Sequence, residues 1–232
     1  MISPIVCPVN SFLVDTSGRT VSTVPLEGGH LALDFVNTIG GLRDQPPSQE
    51  DELFASYDDL VAWCVRLGVI SDADGGRLSR AAARDEKAAG RALRRARELR
   101  ELIYATFRPI ADGREPPAAL LAELRDVDRA ALAEAHLAPA DHGSGSHARA
   151  MRWSWPPPKE LTDPLRPIAH AAVELLTNGP LEHVKICGNC RWLFLDQSRN
   201  HSRRWCSMAE CGTQMKQRRF VERRRRERSA PR

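Results

Sequence analysis

The 232-residue chain has no apolar run approaching the roughly 18 residues a membrane-spanning helix needs, which excludes helical channels and transporters. Met1–Leu13 lacks the basic start and small-residue cleavage pattern of a secretory signal, so the expectation is a soluble, cytoplasmic protein. There is no self-similarity at a period of roughly 20 to 50 residues, which sets aside solenoids and propellers. Nor is there a glycine-rich phosphate loop, a paired-carboxylate set or a nucleophile with an evident base, and no enzymatic activity is expected. Lysine is scarce: Lys87, Lys159, Lys185 and Lys216 are the only four among 34 basic residues. With so much arginine and alanine, coding bias competes with selection for phosphate contacts as the origin of the basic character.

A hydrophobic fraction of 42% with 28% charged residues lies in the globular range, and the length suits one body plus a small module. The net charge of +4 is unevenly spread. Residues 185–232 hold 14 Lys and Arg against 4 Asp and Glu, giving +10, while the rest of the chain is −6. A basic end on an acidic body suggests a polyanion-binding appendage.

Residues 1–27 show no sustained period and read as a loosely ordered extension containing Cys7. The run GGHLALDFVNTIGG at 28–41 is a short buried element, helix or strand, whose apolar surface is interrupted by Asp34 and Asn37. Helices are expected over 57–67, ending at Gly68, and again from Ser71-Asp72. The clearest helix is 88–110. Its apolar face runs through Leu99, Leu102, Ile103 and Phe107, with Arg94, Arg95, Arg97 and Arg100 assigned to a solvated face. Pro116-Pro117 opens another helix that Pro139 must end at the latest. Met151, Trp153 and Trp155 alternate with polar neighbours as a strand, expected in a hairpin turned at Asp141–Ser146, and a helix from Asp163-Pro164 stops at 177–180. The fold class is therefore mainly α (α+β): a helical body with a β-hairpin, a small treble-clef-like zinc finger and a basic C-terminal helix.

The finger is read from four cysteines. Cys187 and Cys190 enclose two residues; fifteen residues later come Cys206 and Cys211. Four soft ligands at this spacing suit one tetrahedral Zn2+, and a site closed by four sulfurs is structural. A disulfide pair fits poorly in a cytosolic chain, and a redox C-x-x-C would need a βαβ setting. Ser207 and Glu210 match a capping box ahead of a helix over 211–228, and residues 191–195 read as a strand. His183 and His201 are read as ordinary surface, Trp192 and Trp205 as packing, and Cys64 as a buried apolar residue.

Residues 187–217, with CGNC, RWLFLD and SRRWCSM before Cys211-Gly212, resemble the CGNR-type zinc finger; residues 29–40, with LALDFVNT, are similar to the opening of the ABATE domain that precedes that finger. Together they cover residues 28 to 220, with the helical domain at 28–180, the finger at 181–221 and a basic tail at 222–232. The resemblance implies a bacterial stress-related transcription regulator whose finger binds DNA. One departure matters: Thr213-Gln214 stands where the family has Asn-Arg, which weakens a phosphate or guanine contact, although glutamine can pair with adenine.

Arg203, Arg204, Gln214, Lys216, Arg218 and Arg219 are the candidate nucleic-acid contacts, with Thr213 and Gln217 beside them. The run ERRRRERS (222–229) is either a tail that orders on nucleic acid or a solvated helix supported by a Glu222–Arg226 pair. DNA is the expected partner. RNA or the ribosome is one alternative; a small-molecule-binding body with a purely structural finger is another, for which Asp34, Asn37 and the Trp153/Trp155 strand are the candidate ligand-facing groups. No membrane partner is expected, and the inducing ligand and oligomeric state are not specified.

Overall fold

The computed structural model describes residues 19–140 and 150–229; Cys7, most of the 1–27 extension, the Asp141–Ser146 turn and the end of the tail lie outside them. The element order is α1 (Leu31–Val36), α2 (Tyr57–Arg66), α3 (Asp72–Arg84), α4 (Glu86–Ala111), α5 (Ala118–Leu132), β1 (His136–Pro139), β2 (Met151–Ser154), α6 (Leu165–Asn178), β3 (Val184–Ile186), β4 (Leu193–Leu195) and α7 (Thr213–Ser229). Within the ambiguous run at 28–41, Leu31–Val36 is thus a helix. It is short because it starts at the His30 cap, whose ring accepts the Ala32 N–H, and ends at Asn37.

Helix starts follow local chemistry. Ser56 and Asp59 form a capping box on α2, Ser71 caps α3 and Asp85 caps α4. Gly68, at φ +67°, ends the α2 turn in the left-handed region that glycine enters without penalty. Helix α5 stops at Leu132, before the limit set by Pro139, and His136–Pro139 pairs antiparallel with Met151–Ser154 as the expected hairpin, Leu137 opposite Trp153. Paired to β2, this segment satisfies its backbone across the strand rather than by continuing the helix.

Helix α4 is the centre of the body and packs against α1, α2, α3, α5, α6, β3 and β4. Its buried stripe is Ala92, Ala96, Leu99, Leu102, Ile103 and Phe107, as the spacing requires, but Arg100 joins it at 2% exposure. This corrects the solvated-face reading. The Arg100 guanidinium donates to both carboxylate oxygens of Glu52, at 2.7 and 2.5 Å, and to Thr38 Oγ1 at 3.2 Å. Arg97, beside it, donates to the Phe54 carbonyl and lies 3.5 Å from Glu52. A buried guanidinium is tolerable because a planar fork meets a carboxylate in bidentate geometry. Phe35, Phe54 and Trp63 meet ring to ring, with centroids 5.4–6.1 Å apart, at the heart of this core.

Strands β3 and β4 pair antiparallel, Val184 opposite Leu195 and Ile186 opposite Leu193. Side chains alternate across a strand, so β4 serves two cores. Leu193 and Leu195, with Val184 and Ile186, belong to the main body core; Trp192 and Phe194 belong to a second cluster with Val24 and the four finger cysteines. The finger's hairpin is therefore a wall of the body.

Candidate metal centre and basic helix

The β3–β4 hairpin turns at Cys187–Cys190. The Cys187 N–H donates to the Trp192 carbonyl at 2.9 Å, and the Asn189 N–H points at the Cys187 sulfur at 3.5 Å. The second pair is brought back by the loop after β4, organised around fully buried Asp196. Its carboxylate accepts Lys185 Nζ at 2.7 Å, Ser198 Oγ at 2.6 Å and the N–H groups of Ser198 and Arg203 at 3.1 and 2.9 Å. Burial works against its charge, but these donors outweigh it and hold the carboxyl well below the usual carboxylate range. The Gly188 N–H then donates to the Arg204 carbonyl at 2.9 Å, joining the two knuckles; a Cβ on Gly188 would sit 3.2 Å from that oxygen.

All four sulfurs lie within 4.8 Å of one another and all four cysteines are buried, with Cys190–Cys206 at 3.6 Å and Cys206–Cys211 at 3.7 Å. A tetrahedron with zinc–sulfur bonds of about 2.3 Å has edges of about 3.8 Å. The donor set fits one structural zinc ion. Hydrogen bonds from Cys190, Cys206 and Cys211 pull the Cys187 thiol far down, while hydrogen bonding to Cys187 pushes Cys190 and Cys206 up. Four thiols so close cannot all ionise unaided, and a dication removes that conflict. Cys64 is the contrast: burial alone pushes its thiol up to about 12, which leaves it a packed apolar group.

The helix that carries the second pair starts differently from the expected capping box. Met208–Gly212 forms a π turn, in which the Gly212 N–H reaches back to the Ser207 carbonyl at 3.0 Å; the Ser207 side chain makes no cap bond and Glu210 instead pairs with Arg19 at 2.5 Å. The wider turn keeps the Cys211 sulfur at the cluster while the chain leaves toward α7.

The structure separates the expected nucleic-acid contacts into two groups. Arg203 is tied to Glu27 at 3.1 Å and to the Cys206 carbonyl, with its guanidinium 4.8 Å from the Phe194 ring centroid. Gln214 accepts from Asn189 Nδ2 at 2.9 Å, so the residue in the family's arginine position latches the first knuckle to the start of α7. Arg204, Lys216, Gln217 and Arg219 are exposed and Arg218 is half-buried. Thr213 is exposed and its hydroxyl donates to the Met208 carbonyl. The supporting pair in the tail is Arg223–Glu227, at 3.7 Å, in place of the expected Glu222–Arg226.

Asp34 and Asn37 are used by the fold itself. Asp34 accepts the Gly28 N–H at 2.8 Å, and burial pushes its carboxyl up to about 6 against that hydrogen bond. Asn37 is buried, and its amide donates to the Leu193 carbonyl at 2.8 Å and accepts the Leu193 N–H at 3.0 Å, as a neighbouring strand would. Trp192 Nε1 donates to the Ile39 carbonyl, which confirms packing as its role. His183 and His201 stack on each other at 3.6 Å, apart from the sulfurs.

Sequence reasoning missed Arg191. It is buried between metal ligand and core, ion-paired to Glu101 at 3.0 Å and lying 4.1 Å from the Tyr104 ring centroid. Its place between Cys190 and Trp192, both committed inward, was the available signal.

Fold and centre together define a helical body carrying a four-cysteine zinc-finger module. The family model described as "Putative stress-induced transcription regulator" (ABATE) matches residues 29–179, and the CGNR zinc finger model matches 183–224. The chain belongs to the ABATE family. A search of curated proteins finds no match. Among the described residues, no helix is long and apolar enough to cross a membrane.

Proposed function

We propose that the protein is a DNA-binding transcription regulator in the cytoplasm, without catalytic activity, in which zinc holds α7 out from the body as the nucleic-acid-contacting element. The observation that carries this reading is the surface of α7 itself. From Lys216 to Glu227 only Arg218 and Val221 are even half-buried; Lys216, Arg219 and Arg223–Arg226 are exposed, and Phe220 stands 49% exposed among them. A helix with no apolar stripe gains nothing from packing, so such a surface suits phosphates rather than a protein core. Arg204, on the adjoining knuckle with its guanidinium 5.6 Å from the Trp205 ring centroid, is a further exposed cation. With Gln214 engaged by Asn189, base reading falls to Gln217 and Thr213.

The test is binding of the zinc-loaded protein to duplex DNA across a salt series. Replacing Arg204, Lys216 and Arg219 together by alanine is expected to reduce the log–log salt slope by about 0.9 for each lost phosphate contact, equally for all sequences. Unchanged affinity with zinc retained would overturn the reading. Tighter binding to structured RNA at the same salt would transfer it to RNA.

A further inference from the structure

A cleft of about 1120 Å³ lies on the body, between the β1–β2 hairpin, α6 and the loop that follows α2. The hairpin wall is aromatic and apolar: Trp153, Met151 and Leu137 are 42%, 54% and 56% exposed, on strands whose register places Leu137 beside Trp153. Large apolar side chains left this open on two short strands lose the burial that would stabilise them, and an occupant of the cleft supplies it. Trp155 anchors the wall through its indole N–H, 2.8 Å from the Ala131 carbonyl. His170 stands between the two indoles, with ring centroids 6.1 Å from Trp153 and 5.6 Å from Trp155. Asp128, itself buried, holds His170 Nδ1 at 2.9 Å, so Nε2 is the ring nitrogen left for a ligand.

The charge of this cleft is what identifies the ligand class. Of the positive groups that line it, Arg166 is bound to Asp163 at 3.1 Å and Arg152 is engaged in an interaction of its own. Of the negative groups, Glu174 and Asp72 are exposed, and neither has an ion-pair partner within 4 Å among the described residues. Burial pushes His30 below its ordinary pKa, with the charge of Glu174 acting against that. The unspent charge is negative, and it lines the same cleft as two indole rings whose π faces attract cations.

We propose that this cleft binds an organic cation with an apolar, ring-sized body, an aromatic or bulky amine or quaternary onium, seated on Trp153 and Trp155 with its charge toward Glu174. The site is independent of what α7 contacts, and it is tested on the protein without nucleic acid.

Isothermal titration of the zinc-loaded full chain with methyltriphenylphosphonium, and with triphenylphosphine oxide as a neutral partner of nearly the same shape, tests it directly. The expected result is one site per chain and at least tenfold preference for the cation. Trp153→Ala should weaken binding about tenfold, Trp153→Phe should retain most of it, and Glu174→Gln should weaken the cation severalfold while leaving the oxide unchanged. Both positions are exposed, and an unaltered thermal melt confirms the fold of each variant. No binding up to millimolar concentration, equal affinity for the oxide, or indifference to Trp153→Ala would each overturn the proposal.

Discussion

The two halves of the zinc finger are held by different forces. The first knuckle is the tip of a hairpin built into the body: Leu193 is bonded twice to Asn37, Trp192 to Ile39, Leu195 to the Gly28 carbonyl, and Arg191 to Glu101. The second knuckle leads into α7, whose substantial contact is with the π turn before it. Between them stand the four sulfurs, the Gly188–Arg204 backbone bond and the Asn189–Gln214 latch. Zinc is therefore a joint that fixes a projecting basic helix to a wall that folds with the body. A finger often depends wholly on its metal; here half of it has a second source of stability.

Breaking the joint should have the largest effect. Cys211→Ser, or removal of zinc by chelation, is expected to abolish protection of amide hydrogens across 204–229 while residues 184–195 stay protected with α4. Structural zinc contributes on the order of 10 kcal/mol in isolated fingers. Hydrogen exchange read by mass spectrometry checks this, and uniform loss of protection across both halves would show that the first half depends on zinc after all.

Next comes the support under the wall. Arg100→Ala strips Glu52 of its bidentate partner inside the body, and removing one member of a buried pair costs about 3–5 kcal/mol. Urea unfolding should show the whole body destabilised with zinc stoichiometry retained below the transition. The seam itself is probed by Asn37→Ala, which leaves both backbone groups of Leu193 without that partner and should cost about 1–3 kcal/mol. It should also raise exchange in β4 relative to α4, whereas an unchanged ratio would place the weld elsewhere.

The mildest effect concerns pH. Asp34 sits near 6 when folded and near 3.8 in an unfolded chain, so the native state holds this proton more tightly. Its favourable contribution is complete below about 3.8 and is lost as pH rises through 6. Asp34→Asn keeps an oxygen for the Gly28 N–H and removes the buried charge. The variant should gain stability over the parent from pH 4 to 7, by about 1–3 kcal/mol at most, in matched thermal melts. A constant difference across that range would show that the carboxyl does not titrate between the two states.

Much of this architecture is legible without coordinates. The helix start at Ser71, the 3.6-residue stripe of α4 and the alternation at Met151–Trp155 each act through neighbours a few residues away, and local steric and hydrogen-bonding rules suffice. The ambiguity at 28–41 was real for the same reason: six residues are too few to distinguish a helical period from an alternating one. The Ser207–Glu210 signal failed because closure of the metal site, fixed by Cys187 and Cys190 some twenty residues earlier, imposed a π turn where local chemistry favoured a capped α-helix.

The sequence by itself determined the metal centre, since four cysteines at these intervals are a complete soft donor set wherever the chain carries them. It also determined the basic character of the end of α7, because residues 222–229, a run without apolar residues, have no buried face to adopt. Only the tertiary structure decided which arginines are free. Arg100, Arg191 and Arg203 look in sequence like Arg204 and Arg219, and what separates them is a carboxylate or an aromatic ring brought near from another segment: Glu52, Glu101 and Tyr104, Glu27 and Phe194. A guanidinium is buried where a distant partner outweighs its desolvation, and that partner has a position only after the chain has folded.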